Sequence, residues 1–147
     1  MKVRSVSSAG RGIDADRMLA LLDSETGKVA SAKNPRLWRR LLTLSAVTTD
    51  GGIRITGPDG AEISHDGLSE IVGRAVTLTA EPPPNASLDR AHPDEVLHAG
   101  VDAEVDVHAI GLPSGTFFDF SPLHVLTTAT IDRIGELSPR GTVEVRR

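Results

Sequence analysis

Short segments in which apolar and polar residues alternate, separated by turns rich in glycine and proline, constrain the fold of this chain most. Alternation with a period of two places every second side chain on one face of a strand. Residues 42–48 show it most clearly and predict a half-buried strand. A turn at 50–52 then leads into a second strand at 53–56, and a turn at 57–60 leads into a third at 61–63. We therefore expect an antiparallel meander in the first half of the chain.

Other segments of the first half predict a hairpin and two short helices. Residues 18–23 and 28–31 flank a glycine-containing turn and are too short for stable helices, which favours a strand hairpin. Pro35 opens a segment of about one helical turn. Asp66 is expected to cap a short helix that ends at Gly73 and plugs one end of a barrel. A strand at 76–79 follows.

A run of three prolines at 82–84 marks the expected boundary between two lobes, residues 1–81 and 82–147. The remaining predicted elements lie in the second lobe: a helix at 93–100, a strand at 104–110, two short strands around Pro122 within 117–128, a helix at 130–137 and a strand at 142–147. The fold class predicted is mainly β, with two or three short helices. Because the strand pattern runs to the last residue, we expect the domain to be incomplete.

Composition narrows the class of protein. The chain has 147 residues, 39% of them hydrophobic, which suits one folding unit. With three Phe, one Trp and no Tyr, the core is expected to be aliphatic. A net charge of -4 argues against general binding to nucleic acid or to an anionic membrane. No apolar run approaches the roughly 20 residues that span a bilayer, and the first residues are too polar for a secretory signal, so a cytoplasmic location is expected.

Two motifs, in this order, resemble the MOSC family of molybdenum-cofactor proteins, which includes the amidoxime-reducing components. The first reads Asp-Arg-Met-Leu-Ala-Leu-Leu-Asp at 16–23, with Thr-Gly-Lys at 26–28 and Ser-Ala-Lys-Asn-Pro-Arg at 31–36. The second reads Phe-Asp-Phe-Ser-Pro-Leu-His-Val-Leu-Thr-Thr-Ala-Thr at 118–130. The resemblance extends over residues 12–147. It implies a MOSC N-terminal-like β-barrel followed by part of the MOSC domain, with elements missing at both ends.

The resemblance implies binding of molybdopterin, a pterin dithiolene that bears a phosphate, and it associates the chain with sulfur transfer, reduction of N-hydroxylated substrates and pyridoxal phosphate binding. A phosphate needs cationic forks or hydroxyl donors. The residues that match are Arg17, Ser121, Thr127, Thr128, Lys33 and Arg36, with Arg39 and Arg40 adding charge. Simpler roles stay open, namely a solvated turn for Arg17, an ordinary serine at a strand edge for Ser121, helix capping for the Thr pair and surface solvation for the other cations.

Three departures from the family pattern bear on activity. The segment Arg-Ser-Val-Ser-Ser at 4–8 does not reproduce the family's Pro-Val-Lys-Ser motif, and no Phe-Arg-Pro-Asn segment follows Arg147. The chain contains no cysteine, so it has no thiolate to bind molybdenum or carry sulfur. We therefore assign no catalytic residue. The alternative is a β-barrel scaffold that acts as a protein-interaction module or an inactive fragment, with a protein partner completing the barrel.

The remaining motifs give little support for any specific function. A Gly-Arg-Gly segment at 10–12 lacks the strand and long helix of a dinucleotide site. The five histidines lack the spacing of a metal motif, and no nucleophile elbow accompanies any serine. We expect neither a histidine metal site nor a hydrolase.

Overall fold

The computed structural model describes residues 16–121 and 126–137, together with two short strands, β1 (Ser8–Ala9) and β2 (Gly12–Ile13). The elements that follow are β3 (Ala20–Asp23), α1 (Pro35–Trp38), a 3-10 helix (Arg39–Thr43), β4 (Ser45–Thr49), β5 (Gly52–Thr56), α2 (His65–Val72), β6 (Val76–Thr79), β7 (Ser87–Ala91), α3 (Pro93–Ala99), β8 (Val107–Gly111) and α4 (Thr128–Leu137).

One sheet joins two antiparallel strand pairs. Strand β3 pairs with β6, and β7 pairs with β8. Val29 links the pairs, because it forms an antiparallel bridge to Leu22 and a parallel bridge to Leu88. Its amide donates to the carbonyl of Ser87 at 2.8 Å. The hairpin predicted at 18–31 is confirmed, with its second arm reduced to the bridge at Val29.

Strands β4 and β5 form a separate antiparallel hairpin, in register from Ser45 opposite Thr56 to Thr49 opposite Gly52. The amide of Ile63 donates to the carbonyl of Ile55 at 2.9 Å, which adds the third arm of the predicted meander. The prediction for residues 42–48 is wrong in two respects. Residues 42 and 43 end the 3-10 helix that follows the buried Trp38, and residues 45–48 are exposed instead of half-buried.

Helix α2 begins at a serine cap and ends at a glycine. The hydroxyl of Ser64 accepts from the amide of Gly67 at 3.3 Å. The predicted cap at Asp66 is wrong: Asp66 lies within the first turn, where its charge favours the positive end of the helix dipole. Gly73 ends the helix, as predicted, with a φ of 76°. Leu68, only 1% exposed, faces the core.

The core consists of two groups of buried side chains. One contains Leu21, Trp38, Ile55, Leu68 and Val72, and the other contains Val29, Ala86, Leu88 and Phe117. Phe118 is also buried. The expectation of an aliphatic core is confirmed for eight of the eleven buried hydrophobic residues in the described part, and three of the four aromatic side chains complete this core. Large rings cover more apolar area per residue, which suits a chain with such short strands.

The described part of the chain contains both helices and strands. The strands are antiparallel, as predicted, but the described residues include four α-helices and the described strands close no barrel. The prediction of a mainly β fold is thus confirmed only for the antiparallel sheets. The strand hydrogen bonds of the β4–β5 hairpin do not continue into the other sheet, and this separation leaves the described sheets open.

The second half confirms three predicted elements and corrects one. Helices α3 and α4 and strand β8 lie where the sequence predicted them, within a few residues. Residues 117–121 form no strand, and the rest of the predicted pair, at 122–125, lies outside the described residues, as does the strand predicted at 142–147. None of the helices within the described ranges is both long enough and apolar enough to cross a membrane.

Candidate functional site: a cavity with a cationic end

A cavity of about 420 Å³ lies between the two groups of core side chains. Its apolar wall takes residues from both groups, among them Leu21, Ile55, Leu68, Val29, Leu88 and Phe117. Three charged residues also line it, Arg17, Lys33 and Asp119. The cavity therefore combines an apolar interior with one charged region.

Asp119 holds the two cations together. Nη1 of Arg17 donates to Oδ1 of Asp119 at 2.8 Å, and Nζ of Lys33 forms an ion pair with Oδ2. The side chain of Asp119 is 12% exposed, whereas both cations are more than a third exposed. Two positive charges thus share one carboxylate, which leaves the trio with a net charge of +1.

Arg17 occupies an unusual backbone conformation. Its φ of 53° lies in the left-handed region, which few residues other than glycine adopt. The guanidinium lies 5.3 Å from the centroid of the Phe118 ring, a cation–π distance. The ring and the carboxylate belong to consecutive residues, so a single segment at 118–119 holds the Arg17 side chain in place. Strained conformations of this kind often occur at binding sites.

A third cation influences Lys33. Burial lowers the pKa of Lys33, and the charges of Arg90 and Arg17 lower it further. The carbonyl of Lys33 accepts from the amide of Ala91 at 2.9 Å, which fastens this loop beside strand β7 and hence beside Arg90. Mutual repulsion among these cations would be relieved by an anion bound between them.

The structure separates the residues that the sequence assigned to one site. Arg17 and Lys33 meet at Asp119, and the half-buried Ser121 follows two residues later on the same segment. Arg36 lies elsewhere, 3.6 Å from a carboxylate oxygen of Glu104. The basic rim expected from Lys33, Arg36, Arg39 and Arg40 therefore divides between two places.

The threonine pair belongs to the start of helix α4. The hydroxyl of Thr127 accepts from the amide of Thr130 at 3.1 Å, and the carbonyl of Thr127 accepts from the amide of Ile131 at 3.1 Å. Thr128 is the first helical residue. Capping, one of the two roles left open by the sequence, is thus the role visible for Thr127.

Sequence reasoning assigned no role at the site to Asp119 or Arg90. Asp119 stands between Phe118 and Phe120, and a lone charge between aromatic residues was a signal that it needs a partner. Arg90 follows the buried Leu88 by two residues on β7, so strand alternation places both on the same face. The proximity of Asp119 to Arg17 and Lys33, and of Arg90 to Lys33, had no signal in the sequence.

Comparisons with protein-family models, with curated proteins and with solved structures find no match to this chain. In the part of the chain that the structure describes, no three or more His, Asp or Glu side chains are grouped so that they could hold a metal ion. The geometry itself indicates what this site can do. It can bind an anionic group at its charged region and an apolar or planar group in its interior.

Proposed function

We propose that this chain binds a phosphate-bearing pterin of the molybdopterin class in the cavity that Arg17 and Lys33 border. The observation that carries the proposal is the convergence of these two cations on one carboxylate at a cavity with mainly apolar walls. The resemblance of the two motifs to MOSC proteins supplies the class of ligand.

The charged region suits the phosphate end of such a ligand. The guanidinium of Arg17 offers a rigid fork that matches two phosphate oxygens, and the ammonium of Lys33 offers a compact second charge. A phosphate dianion would compete with Asp119 for both cations. Arg90 adds positive charge nearby, as its effect on the pKa of Lys33 indicates.

The interior suits the ring end. A volume of about 420 Å³ lies within the range of about 300–1,000 Å³ typical of small-molecule sites. Its apolar walls can stack against a flat ring, and Ser31 and Ser45, which also line the cavity, can exchange hydrogen bonds with the ring's polar edge.

The metal end of the cofactor has no thiolate ligand from these 147 residues, since they include no cysteine. When bound, molybdopterin would supply sulfur-transfer or reductive chemistry at its metal. We assign this chain only the binding and orientation of the cofactor, through Arg17, Lys33 and Ser121. For the fold we propose a MOSC-like β-barrel with two lobes, residues 1–81 and 82–147. We also propose that the protein is cytoplasmic.

Anaerobic fluorescence titration of the purified chain with molybdopterin tests the proposal. Arg17→Gln removes the fork and should weaken binding by about tenfold or more, because a charge-assisted hydrogen bond contributes about 1.5–3 kcal/mol. Arg54→Gln is the matched control. Arg54 is an exposed arginine on β5 that pairs with Glu62 at 3.8 Å, and its replacement should leave binding unchanged. A folded wild-type chain with no measurable affinity would overturn the proposal.

A scaffold role remains the second candidate, and one observation favours it. Strand β4 is paired on one side only within the described residues, and Val47 on this strand is 59% exposed. Such an edge can add a strand from another chain. Sedimentation velocity separates the candidates: self-association or aggregation supports the scaffold, whereas a dispersed monomer with a cooperative melt that binds molybdopterin counts against it.

A further inference from the structure

A second cavity, of about 310 Å³, is lined by four arginines. Its lining consists of Arg36, Leu37, Arg39, Arg40, Val72, Gly73 and Arg74, and we call it the arginine cavity. No acidic residue is part of this lining. It shares no lining residue with the cavity at Arg17 and Lys33. Among the described residues, every charged side chain that borders it is therefore a guanidinium.

Two of these guanidinium groups have acidic partners that water already surrounds. Arg39 pairs with Asp102, and Arg36 lies 3.6 Å from Glu104. The acidic side chains are 74% and 83% exposed, respectively. Ion pairs at exposed positions contribute little, because solvent screens both charges. A multivalent anion in the cavity could replace these carboxylates with only a small loss of ion-pair energy.

The other two guanidinium groups have unused capacity. Nη1 of Arg40 donates to the carbonyl of Ile71 at 3.3 Å, and no ion pair involves Arg40 within the described ranges. Arg74 uses Nη2 for Asp23 and Glu25, and its Nε is buried without a hydrogen-bond partner among the described residues. A buried donor without an acceptor is unfavourable, so this side chain is under-satisfied where it borders the arginine cavity.

We propose that the arginine cavity binds the phosphate or diphosphate group of a small molecule. Phosphate oxygens match the planar fork of arginine, and a diphosphate has enough oxygens to reach several forks at once. The volume of this open cavity is at the lower end of the range for small-molecule sites. The chain's net charge of -4 favours such a local site over general binding to a nucleic acid backbone.

Isothermal titration calorimetry with inorganic pyrophosphate at low ionic strength tests this inference. Arg40→Gln should weaken binding by about tenfold, as expected for the loss of one charge-assisted contact. Arg36→Gln should weaken binding in the same direction. Because the side chain of Arg36 is about half exposed and its ion pair is weak, this second variant should fold even if the loss of the Ile71 contact unfolds the first.

Two variants fix the location of the bound anion. Arg54→Gln changes an exposed arginine that lines neither cavity and should bind pyrophosphate with wild-type affinity. Arg17→Gln changes the first cavity, to which the proposed function also gives a phosphate-binding role, so it reports whether pyrophosphate enters that cavity instead. If the folded wild-type chain does not bind, or if Arg54→Gln weakens binding as much as Arg40→Gln does, the inference is overturned. Loss of binding in Arg17→Gln alone would place the anion in the first cavity and would equally overturn it.

Discussion

The carboxylate of Asp23 is the buried charge whose removal we expect to destabilise this protein most clearly. Its side chain is 5% exposed and accepts three hydrogen bonds, from the amide of Glu25 at 3.2 Å, from the hydroxyl of Thr26 at 3.0 Å and from Nη2 of Arg74 at 3.0 Å. These bonds close the turn after β3 and fasten it to the segment that follows α2. Asp23→Asn keeps the shape of the side chain but removes its charge.

The expected loss follows from the burial of both partners. Removing one member of a buried ion pair typically costs about 3–5 kcal/mol. Here Arg74 is 27% exposed and keeps Glu25 as a second partner, so solvent and Glu25 offset part of the loss. We expect Asp23→Asn to lower the free energy of unfolding by about 2–3 kcal/mol. For a chain of this size that is a decrease in melting temperature of roughly 6–10 °C.

Urea unfolding followed by tryptophan fluorescence measures this loss directly. Trp38 is the only tryptophan, it is buried, and the guanidinium of Arg74 lies 5.5 Å from its ring centroid. Asp50→Asn is the control, since Asp50 lies exposed in the turn between β4 and β5 and its change should stay within about 0.5 kcal/mol. A loss below about 0.5 kcal/mol for Asp23→Asn would refute the reasoning.

The difference between wild type and Asp23→Asn should also depend on pH. Burial raises the pKa of Asp23, but the amide of Glu25, the guanidinium of Arg74 and the hydroxyl of Thr26 together outweigh burial and hold the pKa below its ordinary value. With a lowered pKa in the folded state, the stabilisation is complete above the unfolded pKa of about 3.9 and is lost as the pH falls through the folded pKa. A difference that stays constant into strong acid would contradict this assignment.

Four further substitutions test the core, the ends of helix α2 and the first cavity. Leu68→Ala should cost about 3–4 kcal/mol in urea unfolding, because a fully buried leucine leaves a void, and a loss under about 1 kcal/mol would contradict its place in the core. Ser64→Ala should cost about 1 kcal/mol through loss of the helix cap, and an unchanged urea midpoint would show that the cap contributes nothing. Gly73→Ala should cost about 1 kcal/mol through its positive φ, since Nη1 of Arg40, 3.3 Å from the added Cβ, can move aside; a stabilised variant would rule out this strain. Asp119→Asn should raise the affinity for molybdopterin in the same fluorescence titration, because it removes the anion that competes for Arg17 and Lys33, and weaker binding would mean that Asp119 instead positions them.

Local patterns in the sequence predicted much of the secondary structure correctly. The strand at β6, the hairpin between β4 and β5 and the end of helix α2 at Gly73 all follow from alternation, turn residues and a glycine that tolerates a positive φ. These signals act over a few residues, so they can be recognised without the rest of the fold. The sequence also identified Arg17 and Lys33 as cations suited to a phosphate.

Which residues are buried, and which residues interact with each other, could be learned only from the tertiary structure. Residues 42 and 43 are not part of the predicted strand, because they belong to the 3-10 helix that follows the buried Trp38. Residues 45–48 are exposed because the β4–β5 hairpin stays separate from the other sheet. Alternation shows that a strand has two different faces, but it does not show what covers either face. The barrel that the family resemblance implies depends on what covers those faces.

The sequence by itself determined where the chain turns and most of the short segments that form strands and helices, and it proposed cations for a phosphate. Only the tertiary structure brought Arg17 to Asp119, across 102 positions of sequence, and placed Arg36 in a different cavity from Lys33, three residues before it. The physical reason is that backbone preferences are set by neighbouring residues, whereas ion pairs and cavities depend on distances that arise only when remote segments pack together.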